Sequence, residues 1–320
     1  MNVHLSFDIE IWCSGWDALD ASFPRSFERY VYGESKNGQY ALPKTLEILN
    51  RYGLKGVFFV EPLFAARFGT QHLNTIVNLI RDAGQDVQLH LHPEWTDEIQ
   101  PPIIEDSLKK RQHLAYYSLQ EQTALIAFGR KLLEEAGSGP ISVFRAGSFA
   151  ANLDTFEALR RNQIMIDSSL NGTYDISGKD LRSQHAFSVP FVVNGISTYP
   201  VTVFKDGYGR DRPAHVGACS FAEMTDALWS AKAAGASNFV VVSHNFEMLK
   251  PGTAKPSWIV VRRFEQLCTF LCEHQSELPV TGYSPLSLPP GATLGAAASA
   301  SAKFISTTRR HVEQILCKFP

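Results

Sequence analysis

The sequence predicts an α/β protein with a mostly parallel sheet. Apolar runs typical of buried strands alternate with amphipathic helical patterns along the 320 residues. This alternation favours βαβ units, which build a parallel sheet or a barrel. Reactive side chains also tend to follow the strand-like runs directly, where the active sites of α/β barrels form. The hydrophobic content of 44% and charged content of 19% are ordinary for a globular chain with a substantial core.

The predicted strands are short runs rich in β-branched and aromatic residues. The clearest are 54–60, which ends in Val57-Phe58-Phe59-Val60, and 239–242, which reads Phe-Val-Val-Val. In chain order, the predicted strands cover 3–11, 54–60, 87–90, 141–144, 165–166, 189–193, 198–204 and 239–242.

The predicted helices follow from apolar residues that recur every three or four positions. In chain order they cover 42–51, 73–83, 118–135, 153–161, 221–234 and 258–275. The aromatic-rich stretch 23–40 is an insertion after the first strand, either a lid over the site or simple surface.

Three regions are predicted along the chain. A barrel domain covers 1–285, a Pro/Gly/Ala/Ser-rich linker covers 286–303, and a short helical tail covers 304–320. The tail is locally basic at Arg309, Arg310 and His311. It is either loose or docks on a membrane surface or a partner.

The composition excludes several functional classes. The formal net charge is -2 and no dense basic block is present, so we expect no nucleic-acid partner. No secretory signal pattern is visible at the amino terminus, and no apolar segment has membrane-spanning length. The cysteines are odd in number and scattered, which favours reduced thiols and a cytoplasmic location. They are Cys13, Cys219, Cys268, Cys272 and Cys317.

Two short strings carry the predicted chemistry. Asp8 and Glu10 stand on alternate residues at the end of the first apolar run, and His90 and His92 do so at the end of another. Alternate side chains of a strand point to the same face, so each pair can be aimed at one spot. Carboxylates and imidazoles together are typical ligands of a divalent metal.

The order of these motifs resembles that of the polysaccharide deacetylases (NodB homology, carbohydrate esterase family 4). The similar stretches are 8–10, 53–60, 90–92, Phe144-Arg145-Ala146-Gly147-Ser148 and Val242-Ser243-His244, which together span about the first 250 residues. The resemblance implies a distorted (β/α) barrel with fewer than eight strands. It also implies metal-dependent hydrolysis of an N-acetyl, occasionally an O-acetyl, group on a sugar.

The chain departs from the usual family pattern at two places. The family has two adjacent aspartates, whereas the acidic pair here is spread into Asp8-Ile9-Glu10. The two histidines of the family stand four residues apart, whereas His90 and His92 stand two apart. The third ligand is therefore either His92 or Glu94. We favour His92, because imidazole suits zinc and two residues on one face of a strand can converge.

Amide cleavage assigns roles to these residues. Glu10, His90 and His92 are the predicted ligands of a divalent metal, for which zinc is favoured, and they leave a coordination position open. Asp8 is then the general base. The resemblance implies that Arg145 holds and tunes this base, since a neighbouring cation favours the carboxylate form.

Three further residues complete the predicted reaction machinery. The backbone N–H of Ser148 is expected to stabilise the oxyanion, a geometry that Gly147 helps to permit. His244 is the predicted general acid for the leaving amine, with Asp167 as its charge partner.

Two tryptophans flank the predicted site. Trp12 and Trp95 would bind substrate if their faces stack on a sugar ring, and they are core residues otherwise.

The sequence therefore predicts a metal-dependent hydrolase that removes an N-acetyl group from a sugar, a nucleotide-sugar or a glycan. The expected setting is the intracellular biosynthesis of a surface polysaccharide (O-antigen, capsule or exopolysaccharide). The alternatives are an amide hydrolase of a small non-sugar substrate on the same scaffold and a catalytically silent binding module.

Overall fold

The computed structural model describes residues 1–182, 185, 187–288 and 300–316. Within them the strands are β1 (Asn2–Ile9), β2 (Glu34–Ser35), β3 (Gly38–Gln39), β4 (Gly56–Val60), β5 (Asp86–Leu91), β6 (Val143–Ala146), β7 (Ile166–Asp167), β8 (Phe191–Val193), β9 (Ile196–Thr198), β10 (Val203–Lys205), β11 (Asp211–Pro213) and β12 (Asn238–His244).

Helices separate most of these strands. They are α1 (Leu19–Phe27), α2 (Leu42–Arg51), α3 (Ala65–Phe68), α4 (Thr70–Asp82), α5 (Leu119–Glu135), α6 (Leu153–Arg161), α7 (Phe221–Ala233), α8 (Trp258–Glu273) and α9 (Phe304–Leu316). A π-helical turn covers Glu28–Tyr32, and 3-10 turns cover Pro93–Glu98, Leu114–Tyr116 and Gly147–Phe149.

The central element is an eight-stranded sheet in the order β12-β1-β4-β5-β6-β7-β9-β8. The first seven strands of this order run parallel, and β8 is the antiparallel hairpin partner of β9. The sheet curls with helices around it, which confirms the predicted distorted (β/α) barrel. The parallel strands number seven among the described residues, fewer than the eight of a regular barrel.

The segment 201–216, which contains the short strands β10 and β11, closes the barrel between β9 and β12. Val201 donates to the Leu170 carbonyl at 2.8 Å, and Thr202 donates to the Val240 carbonyl at 3.1 Å. On the same side, Val242 donates to the Ala214 carbonyl at 2.9 Å. The segment 201–216 therefore takes the place that a further barrel strand would occupy.

The parallel strands are buried on both faces, as their continuous apolar runs predict. All five residues of β4 are buried, as are seven of the eight in β1. The insertion after β1 joins this core through Phe23 and Phe27 of α1, which contact Phe64 and His72.

The prediction of one continuous strand over 198–204 is wrong. The segment 198–204 is divided between β9, which ends at Thr198, and β10, which begins at Val203. Pro200 lies between them, and proline has no N–H group to continue a ladder.

Most of the predicted linker and part of the tail fall outside the described residues. These are 289–299 of the linker and 317–320 of the tail, including Cys317. The described part of the tail forms α9, and the other four cysteines are free thiols. In the described part of the chain, no helix has both the length and the apolar character needed to cross a membrane.

Candidate functional site

The candidate site lies where the carboxyl ends of neighbouring parallel strands meet. In the sheet register, Asp8 of β1 is opposite His244 of β12, and His90 of β5 is opposite Arg145 of β6. Strand order alone therefore brings together four residues that are widely separated in the sequence.

A carboxylate and two imidazoles converge at the centre of the site. Glu10 Oε1 lies 2.9 Å from His90 Nε2 and 3.0 Å from His92 Nε2. All three side chains are buried, and their potential ligand atoms lie within 4.8 Å of one another. The structure thus brings together the three residues that the sequence predicted as metal ligands.

Each imidazole is oriented through its other nitrogen. His90 Nδ1 lies 2.8 Å from the Arg145 carbonyl oxygen, and His92 Nδ1 lies 3.2 Å from Glu94 Oε2. Partners of this kind fix the ring and leave Nε2 facing the ligand position. Glu94 therefore lies behind His92 and is not part of the converging cluster.

Glycine at position 147 makes room for this arrangement. A Cβ atom on Gly147 would lie 2.6 Å from His92 Cε1, closer than side chains pack. The backbone of the 147–149 turn therefore approaches the His92 ring as closely as it does because residue 147 has no side chain.

The electrostatics of the cluster favour an ionised pair. Burial alone raises the pKa of Glu10, but the charge of His92 and hydrogen bonds from both imidazoles outweigh it and hold the pKa well below its usual range. Burial lowers the pKa of His92, but Glu10 and Glu94 outweigh it and raise that pKa well above its usual range. A cation that binds here must displace the proton of His92.

A buried arginine holds the predicted base. Arg145 is fully buried and donates from Nη1 to Asp8 Oδ1 at 2.6 Å. Its remaining donors reach Ser6 Oγ at 2.9 Å, Ser168 Oγ at 3.0 Å and the Ser168 carbonyl at 3.0 Å. Its guanidinium carbon lies 4.2 Å from the Phe59 ring centroid. Arg145 thus presents one fixed charge to Asp8.

His244 also lies at the site, with partners that the sequence analysis did not identify. Its Nδ1 is 2.9 Å from Glu247 Oε1 and 3.4 Å from His215 Nε2. His215 Nε2 is likewise 2.9 Å from Glu247 Oε1. Burial lowers the pKa of His244, but its bond to Glu247 and the charges of Glu10 and Asp8 raise it to about 9.

The prediction that Asp167 partners His244 is wrong. The Asp167 carboxylate accepts the backbone N–H of Ser169 at 3.0 Å and the hydroxyl of that residue. The Nδ1 atom of His244 lies instead 2.9 Å from Glu247 Oε1. Burial raises the pKa of Asp167 to about 6, partly opposed by the bonds from Ser169 and the charge of Arg145.

The sequence contained a signal for Glu247 but none for His215. Glu247 follows the end of β12 by three residues, a spacing at which its carboxylate reaches back to His244. Asn245 offered a similar signal: its Oδ1 accepts from the Glu10 N–H and its Nδ2 donates to the Glu10 carbonyl, each at 3.1 Å. His215 follows a short strand with no apolar run before it.

A cavity of about 190 Å³ lies at the candidate site. Its walls include Asp8, Glu10, His92, His244, Ser148 and Trp12. Ser148 adopts a left-handed backbone conformation with φ of 53°. A non-glycine residue held in this region is characteristic of functional turns.

The two tryptophans differ in position. Trp12 lines the cavity, packs edge-to-face against His92 and donates from Nε1 to Glu10 Oε2 at 2.6 Å. Trp95 is buried among Trp16 and Phe68, so the predicted role of Trp95 in binding substrate is wrong. The Trp95 ring belongs to the core, and neither of its faces is accessible to a ligand.

The donor set fits a divalent cation. Two imidazole nitrogens and one carboxylate oxygen, all oriented by further partners, are a ligand set typical of catalytic zinc sites.

Comparisons with known proteins agree with the fold. No protein-family model matches the sequence, and no curated protein matches it. Among solved structures, the fold is similar to that of a putative polysaccharide deacetylase from Mycobacterium smegmatis, with a TM-score of 0.51 and 17% identity over 90% of this chain and 94% of that chain. The fold that the motif resemblance implied is thereby confirmed.

A second solved structure with a similar fold carries a different description. The 4-α-glucanotransferase from Thermococcus litoralis is similar with a TM-score of 0.55 and 10% identity, over 88% of this chain and 39% of that chain. Two proteins with different descriptions thus have folds similar to that of this chain. The activity of this chain has to be argued from its site.

Proposed function

We propose that this protein is a metal-dependent hydrolase that removes the N-acetyl group of a sugar. The observation that carries the proposal is the convergence of three kinds of group on one cavity. They are the Glu10, His90 and His92 cluster, the arginine-held Asp8, and His244 with its carboxylate partner.

Glu10, His90 and His92 are the residues that would hold the cation. A divalent ion bound there, for which zinc is favoured, supplies Lewis acidity toward the acetyl carbonyl and lowers the pKa of a water molecule. Glu94 and the Arg145 carbonyl keep the two imidazoles in the orientation that binding requires.

Asp8 is the general base in this proposal. Its carboxylate lies next to the cluster, and Oδ1 is occupied by Arg145, so Oδ2 is the oxygen that accepts a proton from the attacking water. The bond from Arg145 fixes the position of this carboxylate beside the cluster.

His244 is the general acid and Glu247 its positioning residue. With a pKa of about 9, His244 carries its proton at neutral pH and donates it to the departing amine nitrogen. Glu247 binds Nδ1, so Nε2 is the nitrogen left for the substrate. The backbone N–H of Ser148, at the cavity wall, is assigned to the oxygen that gains negative charge.

We assign the sugar ring to the part of the cavity beside Trp12. Trp12 is held at its indole N–H by Glu10, which presents part of its ring to the cavity as a surface for a sugar. We further propose that the protein acts in the cytoplasm, in the biosynthesis of a surface polysaccharide.

Elemental analysis combined with acetate release tests this function. The purified protein is assayed against a panel of N-acetylated sugars, nucleotide-sugars and glycans, and we expect about one divalent ion per chain together with free acetate. Metal without acetate from any of them, but with turnover of small amides, would indicate a non-sugar amide hydrolase. Neither metal nor turnover would indicate a binding module.

A further inference from the structure

Helix α9 presents its polar face to the protein and its apolar face to the outside. Among the described residues, Phe304, Ile305, Val312 and Ile315 are exposed by 65%, 74%, 52% and 57%. At 100° per residue these four positions fall within one third of the helix circumference. An exposed apolar face on an ordered helix marks an interaction surface.

The inner face of α9 fixes this orientation with polar contacts. Arg310 donates to Glu223 Oε1 and to Asp206 Oδ2, each at 3.0 Å, and all three residues are buried. Thr307 donates to Glu223 Oε1 at 2.8 Å, and Ser306 donates to Asp226 Oδ2 at 2.6 Å. Turning the apolar face inward would leave these buried charges without partners.

A groove of about 850 Å³ runs beside this helix. Ile315 and His311 of α9 form one side of it, and Tyr30, Phe246 and Leu249 contribute apolar surface. This volume lies within the usual range for sites that bind small molecules.

Two cations that line the groove form no salt bridge in the described part of the chain. They are Arg29, whose buried Nε has no hydrogen-bond partner, and Lys250. A third, Arg263, is paired with Glu313. Free guanidinium and ammonium groups in an apolar groove fit a ligand that joins a phosphate to hydrocarbon.

The groove adjoins the catalytic cavity. Trp12 lines both spaces, and Glu247 lines the groove while its carboxylate holds His244. A molecule in the groove can therefore place a sugar in the cavity while its other end lies against α9.

We propose that the groove and the outer face of α9 receive a sugar carried on a lipid phosphate at a membrane surface. The proposal rests on the proposed function, because it names the carrier of the sugar that Asp8 and His244 act on. A second copy of the chain is a poorer occupant of this face. A twofold contact centred here would bring Arg29 and Lys250 of one copy near those of the other.

Vesicle flotation of the full chain tests the proposal. The probes are phosphatidylcholine vesicles with and without a polyprenyl phosphate. We expect about tenfold more protein bound when the polyprenyl phosphate is present, and we expect the Arg29→Gln/Lys250→Gln variant to lose this gain. The Ile305→Glu/Val312→Glu variant should lose binding to both vesicles, because charge on the outer face opposes insertion.

Two controls separate this proposal from the others. Leu108→Glu places a carboxylate on an apolar residue that is 83% exposed and does not line the groove, so its flotation should equal that of the parent chain. Asp8→Asn should also bind vesicles normally, since flotation requires no hydrolysis.

Two results would overturn the proposal. One is binding that ignores the polyprenyl phosphate. The other is a dimer, seen by sedimentation, that Ile305→Glu/Val312→Glu dissociates while the parent chain fails to float. Absence of acetate release from every N-acetylated sugar, soluble or lipid-linked, would instead count against the proposed function.

Discussion

Two clusters of the same composition stand side by side at the carboxyl end of the barrel. Glu10, His90 and His92 form one, and Glu247, His215 and His244 form the other. In each, one carboxylate oxygen lies about 3 Å from a nitrogen of both imidazoles. Residue type and spacing alone would assign them the same role.

The two clusters differ in burial and in the partners of the imidazole Nδ1 atoms. The first is buried, and each of its imidazoles has a partner on Nδ1. In the second, the side chains of His215 and His244 are 19% and 22% exposed, and the buried Nδ1 of His215 has no hydrogen-bond partner among the residues that the structure describes. Both clusters stabilise a proton, on His92 in the first and on His244 in the second. Only in the first do partners on both Nδ1 atoms preorganise the two Nε2 atoms for a cation that displaces this proton.

The largest expected effect is the loss of the cation from the first cluster. We expect His90→Ala to lose bound metal and to lower kcat/KM by at least about 10⁴-fold, because the Lewis acid is then missing. Elemental analysis and acetate release measure the two effects. His215→Ala is the matched control and should retain its metal. An equal loss of metal from His215→Ala would make the two clusters equivalent and break the comparison.

Removal of the base should separate metal content from turnover. Asp8→Asn keeps a hydrogen-bonding side chain beside Arg145 but accepts no proton, so we expect full metal content and a fall in kcat of about 10³-fold. The measurement pairs elemental analysis with steady-state kinetics on the sugar substrate. Activity near that of the parent chain would remove Asp8 from the role of base.

The second cluster should matter chiefly for leaving groups that need a proton. We expect His244→Ala to lower amide hydrolysis by about 10²-fold and to leave metal content unchanged. Hydrolysis of p-nitrophenyl acetate, whose leaving group departs without a proton, should fall much less. Equal losses on both substrates, or a matching loss of metal, would argue for a ligand or structural role.

A smaller effect should appear in the pH profile. His244 must be protonated to act, and its pKa of about 9 places the alkaline limb of kcat/KM near that pH. Without the carboxylate, the imidazolium loses its main stabilising partner and its pKa falls. We therefore expect Glu247→Gln to move the alkaline limb to lower pH and to reduce activity at pH 8 by about tenfold.

Asp167→Asn is the control for this profile. Because Asp167 contacts Ser169 instead of His244, the alkaline limb of this variant should stay where it is in the parent chain. A downward shift as large as that of Glu247→Gln would restore the pairing that the motif order implied.

The sequence predicted the groups that stand directly on the strands. Asp8, His90, Arg145 and His244 each follow an apolar run, and parallel strands bring their carboxyl ends to one edge whatever the exact order. The helices 42–51 and 153–161 were predicted to the residue because their apolar periodicity is regular. Local pattern was sufficient at these positions.

Pairings across the barrel were beyond the reach of local pattern. Glu247 is the exception, because it stands only three residues from His244 and its spacing was a local signal. The burial of Trp95 depends on Trp16 and Phe68, which come from other parts of the chain. His215 reaches the site through the segment 201–216, whose path is set by barrel closure.

The pairing of β1 with β12 has a consequence for how the chain is made. β1 carries Asp8, yet one of its two neighbours is encoded more than 230 residues later. A nascent chain leaving the ribosome therefore carries this apolar strand with an open edge until β12 has emerged. Asp8, His90 and Arg145 are made long before His244, so we expect hydrolytic activity only after β12 has been synthesised and has paired with β1.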